Sequence, residues 1–325
     1  MRKTGIFVFC LTCIVLGYFT FTLSKKAFTS EWDLPAGSDG QEVKYRLVLI
    51  TQELETPFWD KAGIAAQEQA RKDGASLEVW GSYGKNQEEF LKKLEVAIQS
   101  KVDGIIVQGL DTQEFKDLAK IKAAFYGIPI ITIANDVPKS ESLRKTYVGS
   151  DQYLAGRLIA EQLLDDMGHE GKVILMGDKH KEFYQQQRLD GIHEVLKDYP
   201  NIQTVYAETT DVREEIIAAT QNMLNQNPDA DSFIAIKANI AGAMIQEIGR
   251  RSQVKPYYIY SFDDGPDSIS LLTQGKLDGI IEQSPEKMGS LSVELILKWL
   301  RDEEVPLKSD GYLTDIRILK AMEKQ

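Results

Sequence analysis

The chain has 325 residues, 43% of them hydrophobic and 27% charged, a globular balance long enough for one large domain or two smaller ones. Its 38 Lys and Arg face 49 Asp and Glu, and residues 1–26 hold four of the basic and none of the acidic side chains, so the remainder is more acidic than the overall net charge of −11. That balance excludes nucleic acid as a partner, because a phosphate backbone calls for concentrated basic charge.

In chain order, the first feature is the uncharged, mostly apolar run at 4–23, flanked by Arg2 and Lys3 before it and Lys25 and Lys26 after it. That length spans a bilayer as a helix. A cleavable secretory signal is the rival reading, but its apolar stretch is usually shorter, and LSKKAFTS behind the run offers no small-x-small cleavage site. The expectation is an uncleaved single-pass anchor, with Arg2, Lys3 and the terminal amine cytoplasmic and the bulk of the chain extracytoplasmic. Cleavage would make the chain an exported, periplasmic one instead. Both cysteines, Cys10 and Cys13, lie inside the run, which leaves residues 27–325 without a thiol, a disulfide or a Cys metal site. Phe9 and Thr12, which precede them, do not fit a lipid-modified cysteine. Residues 27–44 are polar, lack periodicity and are broken by Pro35, Gly37 and Gly40, which makes them a tether.

From Arg46 the text changes to short β-branched runs, at 47–51, 77–80, 104–108, 128–133, 146–148, 172–176, 204–207, 233–236, 257–262 and 279–282. Between them stand stretches of helical period, such as 58–73, 88–100, 154–167, 186–198, 212–225 and 289–301. The alternation predicts parallel βαβ units. Nearly every strand run is apolar throughout, as when helices cover both faces of a parallel sheet. The fold class is therefore α/β, and so many units are most economically arranged as two doubly wound parallel sheets in two lobes. Ligands of such sheets bind beyond the carboxyl ends of the strands.

No G-x-G-x-x-G follows the first strand, and neither G-x-x-x-x-G-K-S/T nor G-x-S-x-G occurs, which removes the main support for nucleotide and hydrolase functions. His169, His180 and His193 lack ligand spacing and read as surface residues. What the strand ends do carry is polar. TQELETPFWDKAGIAAQEQA, from Thr51, puts Pro57, Phe58 and Trp59 at a strand-to-helix turn, where the aromatics either pack the core or offer a flat surface to a sugar ring. IANDVP from Ile133, SFDDGPD from Ser261 and IIEQSPEKMG from Ile280 each set a carboxylate or amide beyond an apolar strand. Such groups suit a polyol, since carboxylates accept from adjacent hydroxyls and amides both donate and accept. Helix capping by Asp263, Asp264, Asp267 or Ser284 is the plainer alternative.

With these motifs in order, from the PFW turn through KVDGIIVQG, IPIITIANDVP, YVGSDQYLAGRLIAEQL, QRLDGI and SFDDGPD to GKLDGIIEQSPEKMG, the chain from about Arg46 to Leu319 resembles the ribose-binding protein and lac-repressor type of periplasmic binding protein. The resemblance implies that Phe58 and Trp59 stack on a sugar and that Asp263 and Gln283 hydrogen-bond its hydroxyls, with Asn135, Asp136, Gln186 and Lys237 next. The chain departs from the pattern in three places. Ala134 stands where an acidic residue is usual, Gln186 stands two before Arg188 where an arginine is usual, and Asp211 and Val212 stand where an aromatic is usual. Tyr184 or Phe183 is a substitute for that aromatic, and Asn239 competes with Lys237 for one position.

The resemblance also implies lobes of 45–150 plus 284–312 and 151–283 plus 313–325, joined by a three-strand hinge with crossings near Ser150, Ser284 and Leu313. The implied function is binding of a small polar ligand, a sugar, by hinge closure, with the closed form presented to a membrane sensor kinase or an ABC permease. A non-sugar signal is the alternative ligand. No cofactor, metal or catalytic residue is expected, and an enzyme on the same fold is the least favoured alternative. The apolar span and tether, in place of a helix-turn-helix, exclude the repressor branch.

Overall fold

The computed structural model describes residues 44–84, 86–179, 182–250, 256–263 and 266–321. The membrane span expected at 4–23, the tether up to residue 43, His180 and Asp264 lie outside these residues. Among the described residues no helix is long and apolar enough to cross a membrane.

Two six-stranded sheets organise the chain. The first contains β1 (Tyr45–Thr51), β2 (Ala75–Gly81), β3 (Gly104–Gln108), β4 (Ile130–Ile133), β5 (Thr146–Ser150) and β11 (Tyr312–Thr314), in the order β11-β5-β4-β3-β1-β2. The second contains β6 (Gly171–Asp178), β7 (Ile202–Thr209), β8 (Ser232–Ala235), β9 (Tyr258–Phe262), β10 (Gly279–Glu282) and β12 (Arg317–Lys320), in the order β12-β10-β9-β8-β6-β7. All pairings are parallel except β10 with β12. The strand orders are equivalent, so β1 to β5 of one sheet correspond to β6 to β10 of the other.

The helices are α1 (Pro57–Lys72), α2 (Gln87–Gln99), α3 (Gln113–Asp117, continued as a π-helical turn over Leu118–Ala123), α4 (Lys139–Ser142), α5 (Gln152–Met167), α6 (Phe183–Leu196), α7 (Arg213–Gln226), α8 (Ala238–Ile248), α9 (Pro266–Thr273) and α10 (Pro285–Leu300). Side-chain alternation explains why the strand runs are apolar throughout. In β1, Leu47 and Leu49 pack with Trp59, Ala62 and Ile296 of α1 and α10, while Val48 and Ile50 pack on the other face with Phe90 and Leu94 of α2 and Phe115 of α3. In β6, Ile174 and Met176 face Ile216 and Met244 of α7 and α8, and Val173 and Leu175 face Ile159 and Leu189 of α5 and α6.

The chain crosses between the sheets after β5, after β10 and between β11 and β12. At the first crossing Asp151 caps α5, its Oδ1 accepting from Leu154 N at 2.8 Å. The third crossing differs from the one expected near Leu313. Leu313 and Thr314 still pair with Gly149 and Ser150 of the first sheet, so the chain leaves that lobe only at Asp315. The strand that keeps it there is too short to leave an apolar run in the sequence.

Helices α5 and α6 approach closely at two glycines. A Cβ on Gly156 would meet the Arg188 carbonyl oxygen, and one on Gly191 would meet that of Tyr153. This approach fixes α6 against the first crossing and determines where Arg188 lies.

Candidate ligand-binding site

A cavity of about 580 Å³ lies where the carboxyl ends of the two sheets meet. From the first lobe it is lined by Gln52, Pro57, Phe58 and Trp59 at the β1–α1 turn, Gln108 ending β3, and Ala134 and Asn135 after β4. From the second lobe come Tyr184 and Arg188 of α6, Asn239 of α8 and Asp263 after β9, with Gln283 and Pro285 at the second crossing.

The polar floor is a connected set. Gln283 is 8% exposed; its Oε1 accepts from Ser150 Oγ at 2.6 Å and its Nε2 donates to Asp263 Oδ1. The Arg188 guanidinium reaches within 3.7 Å of the same carboxylate oxygen. Arg188, itself 3% exposed, donates from Nε to Gln152 Oε1 at 2.8 Å and from Nη1 to the Ile236 carbonyl at 2.7 Å. Its guanidinium carbon lies 4.1 Å from the Phe262 ring centroid and 5.0 Å from that of Tyr184. On the opposite wall, Gln108 Oε1 accepts from Thr51 Oγ1 at 2.9 Å and Gln52 N at 2.8 Å, which leaves its amide nitrogen for the cavity.

Ala134 and Asp263 occupy equivalent places, each just after the fourth strand of its lobe. Both adopt positive φ, 63° and 71°, and each donates its main-chain N–H across to the next strand, to Val148 O and Ile281 O at 2.9 Å. A non-glycine residue in this region costs about 1–3 kcal/mol, and such residues gather where a ligand is clamped. Both line the cavity.

The residues marked by sequence divide into two groups. Phe58, Trp59, Asn135, Asp263 and Gln283 line the cavity together. Phe58 is half-buried and meets Trp59 edge-on, with centroids 5.3 Å apart, while Trp59 is 3% exposed and belongs equally to the core over Ala62 and Met288. Of the two, Phe58 is the ring free to offer a face. Phe58→Ala is expected to weaken ligand binding by about 0.5–1.5 kcal/mol beyond the area lost, read by titration calorimetry; unchanged affinity would remove it from the site.

Asp136, Gln186 and Lys237 are not in the cavity lining, and each has partners elsewhere. Asp136 pairs with Arg144 Nη2 at 2.5 Å and accepts from Thr132 Oγ1 at 2.6 Å; burial pushes its carboxyl above the usual range, against the pull of Arg144 and these hydrogen bonds. Gln186 is exposed and donates to Asp190 Oδ1 at 2.6 Å. Lys237 is buried against Asp178 and Asp211, and Asn239, its rival for the position, reaches the cavity instead. Of the proposed aromatic substitutes, Tyr184 lines the cavity and Phe183 does not.

The sequence does not single out Arg188, which the structure places in the cavity lining. Two residues rotate a helix by about 200°, so Gln186 and Arg188 face opposite ways. The signal for it is the spacing of Tyr184, Arg188, Ile192 and Leu196, which form one buried face. Among the described residues no group of His, Cys, Asp and Glu side chains could hold a metal ion.

Comparison with known proteins gives this geometry its context. A family model described as periplasmic binding protein domain matches residues 47–304. The ribose import binding protein RbsB of Bacillus subtilis (strain 168) is 23% identical over 265 residues, 81% of this chain and 84% of its own. The crystal structure of GanP, a glucose-galactose binding protein from Geobacillus stearothermophilus, is similar with a TM-score of 0.79 at 28% identity, covering 86% of this chain and 98% of its own. A chain of a mutant XylFII–LytSN complex is similar with a TM-score of 0.64 at 26% identity, covering 86% of this chain and 99% of its own.

Proposed function

Because the chain belongs to the periplasmic binding protein domain family, we propose that it binds a neutral monosaccharide outside the cytoplasm, closes its lobes on it and presents the closed form to a membrane partner. The observation that carries this reading is the pairing of an aromatic wall, Phe58 and Trp59, with the polar set of Arg188, Asp263 and Gln283 across one cavity. An aromatic face takes the C–H side of a sugar ring, and amide, guanidinium and carboxylate groups take its hydroxyls. The names of the relatives support the ligand class, one being a ribose import binding protein and another a glucose-galactose binding protein.

Neutrality follows from charge. The lining cations are Lys61 and Arg188, the first 3.8 Å from Glu286 and the second 3.7 Å from Asp263. Carboxylates outnumber them, with Glu53, Glu182, Asp263 and Asp267 all in the lining. A sugar acid or sugar phosphate would enter a site whose cations are already matched. Closure is driven only by tighter binding to the closed form than to the open one.

Residues 4–23 are read as an uncleaved membrane anchor, which keeps the binding lobes at the extracytoplasmic surface. An anchored protein needs no diffusible encounter with its partner, which favours signalling to a sensor kinase over delivery to an ABC permease. A structural relative is known in complex with a second protein, LytSN. A permease and its ATPase encoded next to this protein would instead favour transport. The relatives act as binding proteins, and the reading requires no chemical step.

The test is thermal unfolding against pentoses, hexoses, sugar acids, sugar phosphates and amino acids. A ligand at a hundred times its dissociation constant adds about 2.7 kcal/mol, which raises the midpoint by several degrees. A shift with a neutral sugar is expected, and shifts confined to anionic ligands or amino acids would overturn the reading. With the ligand in hand, Asp263→Asn and Gln283→Ala are each expected to weaken binding by about 1–3 kcal/mol with little change in melting, since partners are left unsatisfied. Asparagine tolerates the positive φ at position 263. Wild-type affinity in both variants would sink the assignment.

A further inference from the structure

The far end of the first lobe, where its parallel strands begin and where Lys44 lies as the first described residue, carries an apolar and basic surface that ligand binding does not use. Phe125 is 81% exposed, Ile121 62% and Tyr126 47%, at the end of the turn that follows α3. The Phe125 and Tyr126 rings meet edge-on at 5.1 Å, and the Lys101 ammonium lies 5.8 Å from the Tyr126 centroid. The strip continues through Arg46, whose Nη2 donates to the Lys101 carbonyl at 3.0 Å. It ends at Lys44, exposed, with its ammonium 5.5 Å from the Tyr45 ring.

We infer that this end of the lobe is a docking surface for an anionic lipid bilayer. The inference rests on the anchor proposed above. Aromatic side chains prefer the membrane–water interface, and each Lys or Arg near an anionic surface strengthens binding by about fivefold. The position of the cations runs against composition, because the chain beyond residue 26 is acidic overall, yet Lys44, Arg46 and Lys101 gather at this end with one carboxylate among them, Asp103, which accepts from Arg46 N at 2.7 Å. Residues 24–43 separate the proposed span from the lobe by only twenty positions of sequence. The tether holds this end near the lipid at high effective concentration, so even weak contacts suffice. The carboxyl ends of the strands, and with them the cavity, face away from the bilayer in this pose.

The test uses the full chain carrying Cys10→Ser, Cys13→Ser and Ala124→Cys, reconstituted in vesicles of phosphatidylcholine alone or mixed equally with phosphatidylglycerol. Ala124 is exposed and adjoins Phe125. The introduced thiol is alkylated with a water-soluble maleimide. Reaction is expected to be at least about fivefold slower in the anionic vesicles, and Lys101→Glu with Phe125→Ser is expected to abolish the difference. Lys276→Cys, at the exposed opposite end where β10 begins, is expected to react equally in both. Equal rates at the Ala124→Cys thiol, in protein that resists alkaline extraction, overturn the docking and leave the anchor standing. Protein that washes off in alkaline carbonate overturns the anchor and the docking together. Protection that appears only after a second membrane protein is added overturns the lipid in favour of a protein interface.

Discussion

Replacing Arg188 by alanine is expected to lower the unfolding free energy by about 3–5 kcal/mol and to abolish measurable sugar binding. The side chain is 3% exposed, so what it leaves behind is buried. Gln152 Oε1 and the Ile236 carbonyl each lose a donor, Asp263 loses its nearby cation, and Phe262 and Tyr184 lose the planar group between them. An orphaned acceptor costs about 1–3 kcal/mol. Binding suffers separately, because Asp263 and Gln283 are aimed by the same network. Lysine retains the charge but not the fork, so Arg188→Lys is expected to recover part of the stability and little of the affinity. Urea unfolding and calorimetry on the two variants check both halves. An alanine variant that unfolds like the wild type would show that the guanidinium is not buried against these partners.

The same residue marks the boundary between what sequence gives away and what it hides. The inner strands, such as β1, β3 and β6, are legible because helices cover both faces of each sheet, which writes a continuous apolar run into the chain, whereas the edge strands β2 and β7 keep exposed positions and show themselves by their β-branched and aromatic residues. β11 and β12 are not legible, being three and four residues long with exposed positions, and their pairing is known only once the hinge is assembled. The site is partly legible for a related reason. Parallel topology sends functional groups to the carboxyl ends of strands, which marks the loops that hold Asp263, Gln283 and Asn135, while the choice of these residues within the loops rests on the family resemblance. Telling Arg188 from Gln186 needs the rotation of α6, which is set by the close glycine contacts with α5. Asp136 illustrates the remaining difficulty. Its strand-end position invites a binding role, but Arg144, eight residues on, takes the carboxylate, and only tertiary structure brings Arg144 back to it.

Lys237 is the second such case, and its replacement by methionine is expected to cost about 3–5 kcal/mol at neutral pH. Lys237 is 6% exposed, and its ammonium donates to Asp178 and to both Asp211 oxygens, the latter at 2.9 and 3.1 Å. Burial alone lowers its pKa, but Tyr184, Asp211 and Asp178 together outweigh burial and raise it above 10.5. A base with a raised folded pKa contributes its full stabilisation below the unfolded value and loses it only as pH rises through the folded one. Wild-type stability therefore gains nothing from this group's titration near neutrality. The methionine variant behaves differently. Its two carboxylates, 13% and 32% exposed in the wild type, remain without their cation, and protonating them relieves the penalty. The gap in unfolding free energy is expected to narrow as pH falls toward the carboxylate range, and Lys237→Met combined with Asp178→Asn and Asp211→Asn is expected to recover most of it. A gap that is constant with pH would mean that methionine disturbs packing and not charge. Because Asn239 both donates to Asp211 and lines the cavity, Lys237 acts on the ligand by positioning that rim, and the fully neutralised variant is expected to bind sugar more weakly than wild type even where its stability is restored.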